Sequence, residues 1–400
     1  MKKSFITRDI YLNKVVPFIN KEVIKVFTGQ RRVGKSFMLY QLMDKIELET
    51  PGANIIYVNK ELEEFSDIKK WNDLLEYIKR KSNTRLNYVF IDEVQEIEDF
   101  EKALRDLQAR GGYDIYCTGS NAKMLSGELA TYLSGRYIEI KVYGLSYNEF
   151  LDFHKLEKGK ASFDLFIKYG GLPYLKNLEL NDEIVFEYLR GIYHTILYKD
   201  IVDRHQIRNT NLLENLVRYL ANNTGSIVSA TQISKYLRSH NLNIAPKIII
   251  NYLEYLRDAF FVFRVKRADI QGKKIFESGE KYYFEDLGLR HTVLKYESKD
   301  IHKILENIVY QHLIINAYDV YVGHDKGKEI DFIAEKQDKK LYIQVAYLLH
   351  EESTIKRETG NLLKIKDNHP KLIVTLDEYN TGNIKGINAV HAVDFISQTW

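Results

Sequence analysis

The chain has 400 residues, of which 45% are hydrophobic and 28% charged, which is ordinary globular usage and excludes wholesale disorder, collagen and coiled-coil classes. At a prior of about 150 residues per domain, two to four domains are expected. The formal net charge of +3 neither demands nor excludes nucleic acid, so the local distribution of charge has to decide. No apolar run approaches the roughly 18 residues of a membrane-spanning helix, and Arg8 and Asp9 interrupt the apolar core a secretory signal would need. A single cysteine, Cys117, excludes an internal disulfide and a cysteine-rich zinc site, and the histidines do not cluster at ligand spacing. The expectation is a reduced, cytoplasmic, soluble, multidomain protein with no membrane partner.

In chain order, Val23–Thr28 reads as a short strand, followed by Gly29 and a helix from about Gly34 to Leu48. Asn54–Val58, Tyr88–Ile91, Asp114–Cys117 and Ile138–Val142 read as further strands, with helical text such as Phe100–Arg110 between them. Strand–helix alternation predicts an α/β fold with a mostly parallel sheet and helices on both faces.

The loop after the first strand reads Gly29-Gln30-Arg31-Arg32-Val33-Gly34-Lys35-Ser36, with Phe37 next, and matches G-x-x-x-x-G-K-[ST] between a strand and a helix. Such a loop wraps phosphates with backbone N–H groups, aided by the positive end of the helix. Lys35 then reaches the β- and γ-phosphates of ATP, and the Ser36 hydroxyl ligates Mg²⁺. The third strand ends in Asp92 and Glu93. Asp92 is expected to support Mg²⁺, and Glu93 to act as the base that polarises an attacking water. One strand falls between the two motifs, which points to P-loop ATPases with an inserted strand. The fourth strand runs into Cys117-Thr118-Gly119-Ser120-Asn121, where Ser120 or Asn121 would sense the γ-phosphate. Arg136, in Leu133-Ser134-Gly135-Arg136, is a candidate arginine finger, acting in its own or a neighbouring subunit of a homo-oligomer.

Thr28–Ser36, Phe90–Gln95, Thr118–Ala122 and Leu133–Arg136 with Gly144–Phe150 together resemble the AAA+-type ATPases of bacteria and archaea. The resemblance continues through Tyr169–Pro173 and Tyr283–Arg290 and covers most of the chain. It implies a sensor role for Asn121 and a finger role for Arg136. It also implies a helical and winged-helix region, then a C-terminal domain similar to Holliday-junction-resolvase-type nucleases. The expected division is 1–150 for the ATPase, 151–225 for a helical lid or linker, 226–298 for the winged helix and 299–400 for a small nuclease-like α/β domain.

Ser229–Ser239 and Ala245–Asp258 read as helices, followed by β-rich runs Phe260–Val265 and Ile275–Phe284 about a turn near Gly272, an order that also suggests a winged helix. From Lys235 to Lys274, nine basic residues face three acids, an excess of +6. They are Lys235, Arg238, Lys247, Arg257, Arg264, Lys266, Arg267, Lys273 and Lys274. Such a stretch either contacts DNA phosphates or is a solvated face of a packing scaffold. Ile248, Ile249 and Ile250 leave the second helix few side chains for base edges, so readout by phosphate or shape is expected.

The last segment carries Glu306 on a helix, Asp331 on a strand and, where a nuclease of this type has E-x-K, Gln344-Val345-Ala346. A neutral amide is a poor Mg²⁺ ligand and alanine cannot replace the lysine, so nuclease activity is not expected. A basic residue migrated from elsewhere, such as Lys340, Lys356 or Arg357, is the remaining way to restore it.

Overall fold

The computed structural model describes residues 5–122, 135–270, 279–325 and 328–400. Leu133, Ser134, Gly272, Lys273 and Lys274 lie outside the described residues. The chain divides into two compact units, Met1–Tyr143 with Asp258–Phe260, and Gly144–Arg257 with Phe261–Trp400.

In the first unit the apolar runs become five strands, β1 (Ile24–Thr28), β2 (Asn54–Asn59), β3 (Asn87–Asp92), β4 (Tyr113–Gly119) and β5 (Tyr137–Lys141). They stand in the order β2-β3-β4-β1-β5, and every neighbouring pair is parallel. Their near-continuous apolar text reflects burial on both faces, the usual state of a parallel sheet. Alternation then sorts the side chains. Val26, Val89, Ile91, Ile115 and Cys117 share a core with Leu74 and Ile78 of α3 (Trp71–Lys81) and Leu104 and Leu107 of α4 (Phe100–Arg110). Phe90 and Tyr116 point to the opposite face and stack at 4.5 Å. Two shorter and longer helices precede these, α1 (Asp9–Val15) and α2 (Lys35–Glu49). The Cys117 thiol is fully buried, and burial pushes its pKa up to about 12. A thiol-specific reagent at pH 7.5 is therefore expected to label the folded protein at a small fraction of the rate seen in denaturant, because the thiolate is the reactive form.

A buried ion pair ties β1 to β4. The Lys25 ammonium donates to the Asp114 carboxylate, and the two side chains are 0% and 1% exposed. Asp114 also accepts from the Tyr116 hydroxyl (2.8 Å) and the Asn20 backbone N–H (2.8 Å).

The second unit opens with α5 (Tyr147–His154), whose start is set by a capping box between Ser146 and Glu149. α6 (Lys160–Tyr169) and α7 (Asp182–His194) follow, and α7 runs on as a π-helix over Thr195–Asp203. Next come α8 (Thr210–Asn222), α9 (Ala230–Ser239) and α10 (Pro246–Asp258). Ser229 caps α9 by accepting from the Gln232 backbone N–H. β6 (Val262–Val265), β7 (Arg267–Asp269) and β8 (Lys281–Phe284) come next, and β6 pairs antiparallel with β8. α11 (Leu287–Val293) and α12 (Ile301–Ile315) lead to β9 (Asp319–Asp325), β10 (Lys328–Lys336) and β11 (Lys339–Ala346). After α13 (Glu352–Leu362) come β12 (Lys371–Thr375), β13 (Gly382–Ile384), β14 (Ile387–His391) and α14 (Ala392–Ser397). The mixed sheet has the order β13-β14-β12-β11-β10-β9-β7. Because β7 pairs with β9, this sheet takes strands from both sides of residue 298. Among the described residues no helix is long and apolar enough to cross a membrane.

Candidate functional site

The parallel order places β4 between β1 and β3, so the loop after β1, the acidic end of β3 and the polar end of β4 meet at one edge of the sheet. Gly29 opens the loop at φ +146°, and a Cβ there would stand 2.0 Å from the Val142 carbonyl oxygen, so only glycine fits. Gly34, also at positive φ, delivers the chain into α2. Lys35 is the first residue of α2 and 4% exposed; its Nζ donates to the Gly29 and Gln30 carbonyls, each at 3.0 Å. Ser36 is hydrogen-bonded to Asp92. Val33 is fully buried, Arg31 lies 3.8 Å from Glu61, Arg32 is exposed at positive φ, and Gln30 donates to the Phe260 carbonyl (3.0 Å). Phe37 is half exposed and packs edge-on against Phe5 and Tyr40. The loop is backed by Arg8, whose guanidinium donates to the Val33 carbonyl (2.9 Å) and the Tyr143 carbonyl (3.0 Å).

Asp92 and Glu93 occupy different surroundings although adjacent. Burial pushes the Asp92 carboxyl above the usual carboxylate range, against the opposing hydrogen bonds of Thr118 and Ser36. Thr118 Oγ1 donates to Asp92 and accepts from the Glu93 backbone N–H (2.9 Å). Glu93 takes φ 56°, a left-handed turn that breaks the strand and separates its side chain from that of Asp92. Burial pushes Glu93 upward too, but Lys35, the Gln95 amide, Arg31 and the Ser120 hydroxyl outweigh it and hold the carboxyl below the usual range. Lys35 Nζ stands 4.0 Å from Glu93 Oε1. Gln95 Nε2 and Ser120 Oγ both donate to Glu93 Oε2, the latter at 3.2 Å.

The fold thus brings Gly29, Lys35, Ser36, Asp92 and Glu93 together. Of the two expected sensors, Ser120 is hydrogen-bonded to Glu93, and Asn121 follows it, 7% exposed. Arg136 is elsewhere. It precedes β5, its carbonyl accepts from the Ile24 N–H (3.0 Å), and Ile24 begins β1, whose far end, Thr28, enters the loop. At about 3.3 Å per residue, the length of β1 separates Arg136 from the phosphate loop of its own chain. Arg8, Gln95 and Thr118 were not singled out from the sequence. Gln95 and Thr118 both had a local signal, lying within the stretches Phe90–Gln95 and Thr118–Ala122.

The basic stretch is partly neutralised. Arg257 and Arg264 both pair with Glu254, at 2.6 Å for Arg264, and Arg267 contacts His324. Lys235, Arg238, Lys247 and Lys266 are exposed, as are Ile248 and Ile250 on α10, while Ile249 is buried. In the last segment, Glu306 and Asp331 are brought together, but the basic residue between them is Lys281. Lys340 instead pairs with Glu335 (3.1 Å), and Arg357 pairs with Glu358 (2.8 Å).

Comparison with known proteins agrees with this geometry. Residues 21–151 match an AAA domain, and residues 160–300 match a domain of unknown function (DUF8612). An uncharacterized protein of Haemophilus influenzae is 38% identical over 406 residues, covering 100% of both chains. An uncharacterized protein of Methanocaldococcus jannaschii is 32% identical, covering 99% of this chain and 90% of its own. The structure of a Walker-type ATPase of Pyrococcus abyssi superposes with a TM-score of 0.50 at 15% identity, covering 72% of this chain and 96% of that one, which is a likeness of fold. The chain therefore belongs to the family of these uncharacterized Haemophilus and Methanocaldococcus proteins, which in this member joins a nucleotide-binding P-loop AAA domain to a domain of unknown function.

Proposed function

We propose that the chain is an Mg²⁺-dependent, ATP-hydrolysing switch whose nucleotide state controls binding of DNA. The observation that carries hydrolysis is the placement of Glu93. An ionised carboxylate held by Gln95 and Ser120, 4.0 Å from the Lys35 ammonium, is arranged to accept a proton beside a phosphate chain.

The residues present fit this ligand pair. Gly29 and Gly34 let the loop close around phosphate, and the Lys35 ammonium is held inside that loop by its carbonyls. Lys35 would bind the β- and γ-phosphates, Ser36 and Asp92 would hold the cation, and Glu93 would take the proton from the attacking water. Mg²⁺, when bound, neutralises charge on the phosphate oxygens. Ser120 orients Glu93, and Asn121, one residue on, serves the sensor role. Given its place at the far end of β1, Arg136 serves as a finger in trans, in a homo-oligomer.

Lys235, Arg238, Lys247 and Lys266 supply phosphate contacts, and the outward isoleucines of α10 supply no hydrogen bonds to bases.

Lys35→Ala is expected to abolish ATP binding measured by equilibrium titration with a fluorescent analogue; undiminished binding would sink the assignment. Duplex DNA should raise steady-state turnover. Its affinity should fall with salt by about 0.9 log unit per log unit for each phosphate neutralised, and replacing Lys235 and Arg238 should flatten that slope. Turnover indifferent to DNA would leave a protein partner as the switch's target.

A further inference from the structure

Lys281, the first residue of β8, is 2% exposed and lies outside the nucleotide site. Its Nζ stands 2.7 Å from Glu306 Oε1, 2.6 Å from Glu329 Oε1 and 3.2 Å from Asp331 Oδ1. These acids come from two elements, Glu306 from α12 and the others from β10. The surroundings hold them in place. Tyr283, two residues along β8, donates its hydroxyl to Glu306 (2.5 Å). The second Asp331 oxygen accepts from the Val345 N–H (2.9 Å). Gly225, at φ +73°, packs so closely that a Cβ there would come within 2.9 Å of Glu306 Oε2.

Three converging carboxylates are the donor set that hard divalent cations prefer. Here the point on which they converge is taken by an ammonium that bonds to all three. The neighbouring strand offers Gln344 and Ala346, neither of which adds a charge. As they stand around the lysine, these three acids do not form a metal site, and among the described residues no group of three or more His, Cys, Asp or Glu side chains is arranged to hold a metal ion.

We propose that Lys281 is a tethered cation that occupies the ion position of the Glu306–Glu329–Asp331 cluster, joining β8 to α12 and β10 without a metal, and that a divalent cation enters only when this ammonium is removed. Uncompensated charge in such a cluster is destabilising, so without the ammonium the acids either take up protons or bind another cation. On this reading the region is a metal-independent scaffold and not a phosphodiester-cleaving centre, and it is independent of the ATPase assignment.

The test uses the full chain without nucleotide, titrated with Mn²⁺ and followed by electron paramagnetic resonance and thermal unfolding. The lysine-intact protein is expected to show no Mn²⁺ binding that depends on Asp331. Lys281→Ala is expected to unfold at lower temperature, to bind one Mn²⁺ per chain and to regain stability with it. Lys281→Arg, which keeps the charge, should bind none. Asp331-dependent Mn²⁺ binding by the lysine-intact protein would overturn the proposal, as would Mn²⁺-dependent cutting of supercoiled or branched DNA that disappears in Asp331→Ala. A Lys281→Ala protein that Mn²⁺ fails to bind or rescue would overturn it too.

Discussion

Replacing Glu93 by Gln is expected to lower steady-state ATP turnover by about 100- to 10,000-fold while ATP remains bound, the range typical of losing a positioned base. The amide keeps the size of the side chain but has no lone pair basic enough to take the proton from water. Lys35, Ser36 and Asp92 are untouched, so a fluorescent ATP analogue should titrate as with the unaltered protein. The pH profile provides a second check. Glu93 is held below the usual carboxylate range by Lys35, Gln95, Arg31 and Ser120, against the upward push of burial. Its charged form therefore persists at neutral pH and is lost only as pH falls through that lowered pKa. Activity should be flat in its dependence on this group from about pH 6 upward, with any acid limb lying below the ordinary carboxylate pKa. Turnover in Glu93→Gln equal to that of the unaltered protein would remove the base from Glu93. Tight binding without turnover in either protein would favour a nucleotide-gated DNA-binding regulator.

The second large effect concerns stability. Asp114→Ala should destabilise the first unit by about 3–5 kcal/mol, because it leaves the fully buried Lys25 ammonium without its partner. Burial already pulls the Lys25 pKa down, and Asp114 is what opposes that pull. The Tyr116 hydroxyl and the Asn20 N–H lose their acceptor at the same time. Thermal unfolding monitored by circular dichroism should show a midpoint lower by on the order of 10 °C. The double substitution Lys25→Met with Asp114→Leu should recover much of the loss, since apolar replacements of a buried pair are often close to neutral. A midpoint unchanged in Asp114→Ala would show that the pair contributes nothing at this position.

The reading of the first unit from text succeeded where chemistry is local. β1, α2, β3, β4 and β5 fall within one or two residues of their expected ends, and α4 coincides with Phe100–Arg110. Parallel strands buried on both faces write themselves as apolar runs. In the second half, the antiparallel partners β6 and β8 and the helices α9 and α10 were legible from turn and cap residues. The role of β7 was not. Its residues, Arg267–Asp269, fell between the two expected hairpin strands, yet they pair with β9, some fifty residues later, through backbone bonds that carry no sequence signal.

Charge shows the same division. Counting residues over 235–274 predicts a strongly basic face, but Glu254 draws in Arg257 and Arg264, so fewer cations stand free for phosphate than the count suggests. Lys281 heads an aromatic run directly after Glu280, but its three acids lie 25 to 50 residues downstream.

What the sequence determined by itself is the phosphate loop and the acidic strand end, because a phosphate cradle is built from consecutive backbone N–H groups and must be written consecutively. Tertiary structure alone decided which polar groups hold Glu93, that Arg136 stands at the far end of β1, and that one ammonium satisfies three carboxylates in the second unit. Those outcomes depend on strand order and burial. A buried charge accepts whichever partner the fold brings within about 3 Å, however distant in the chain.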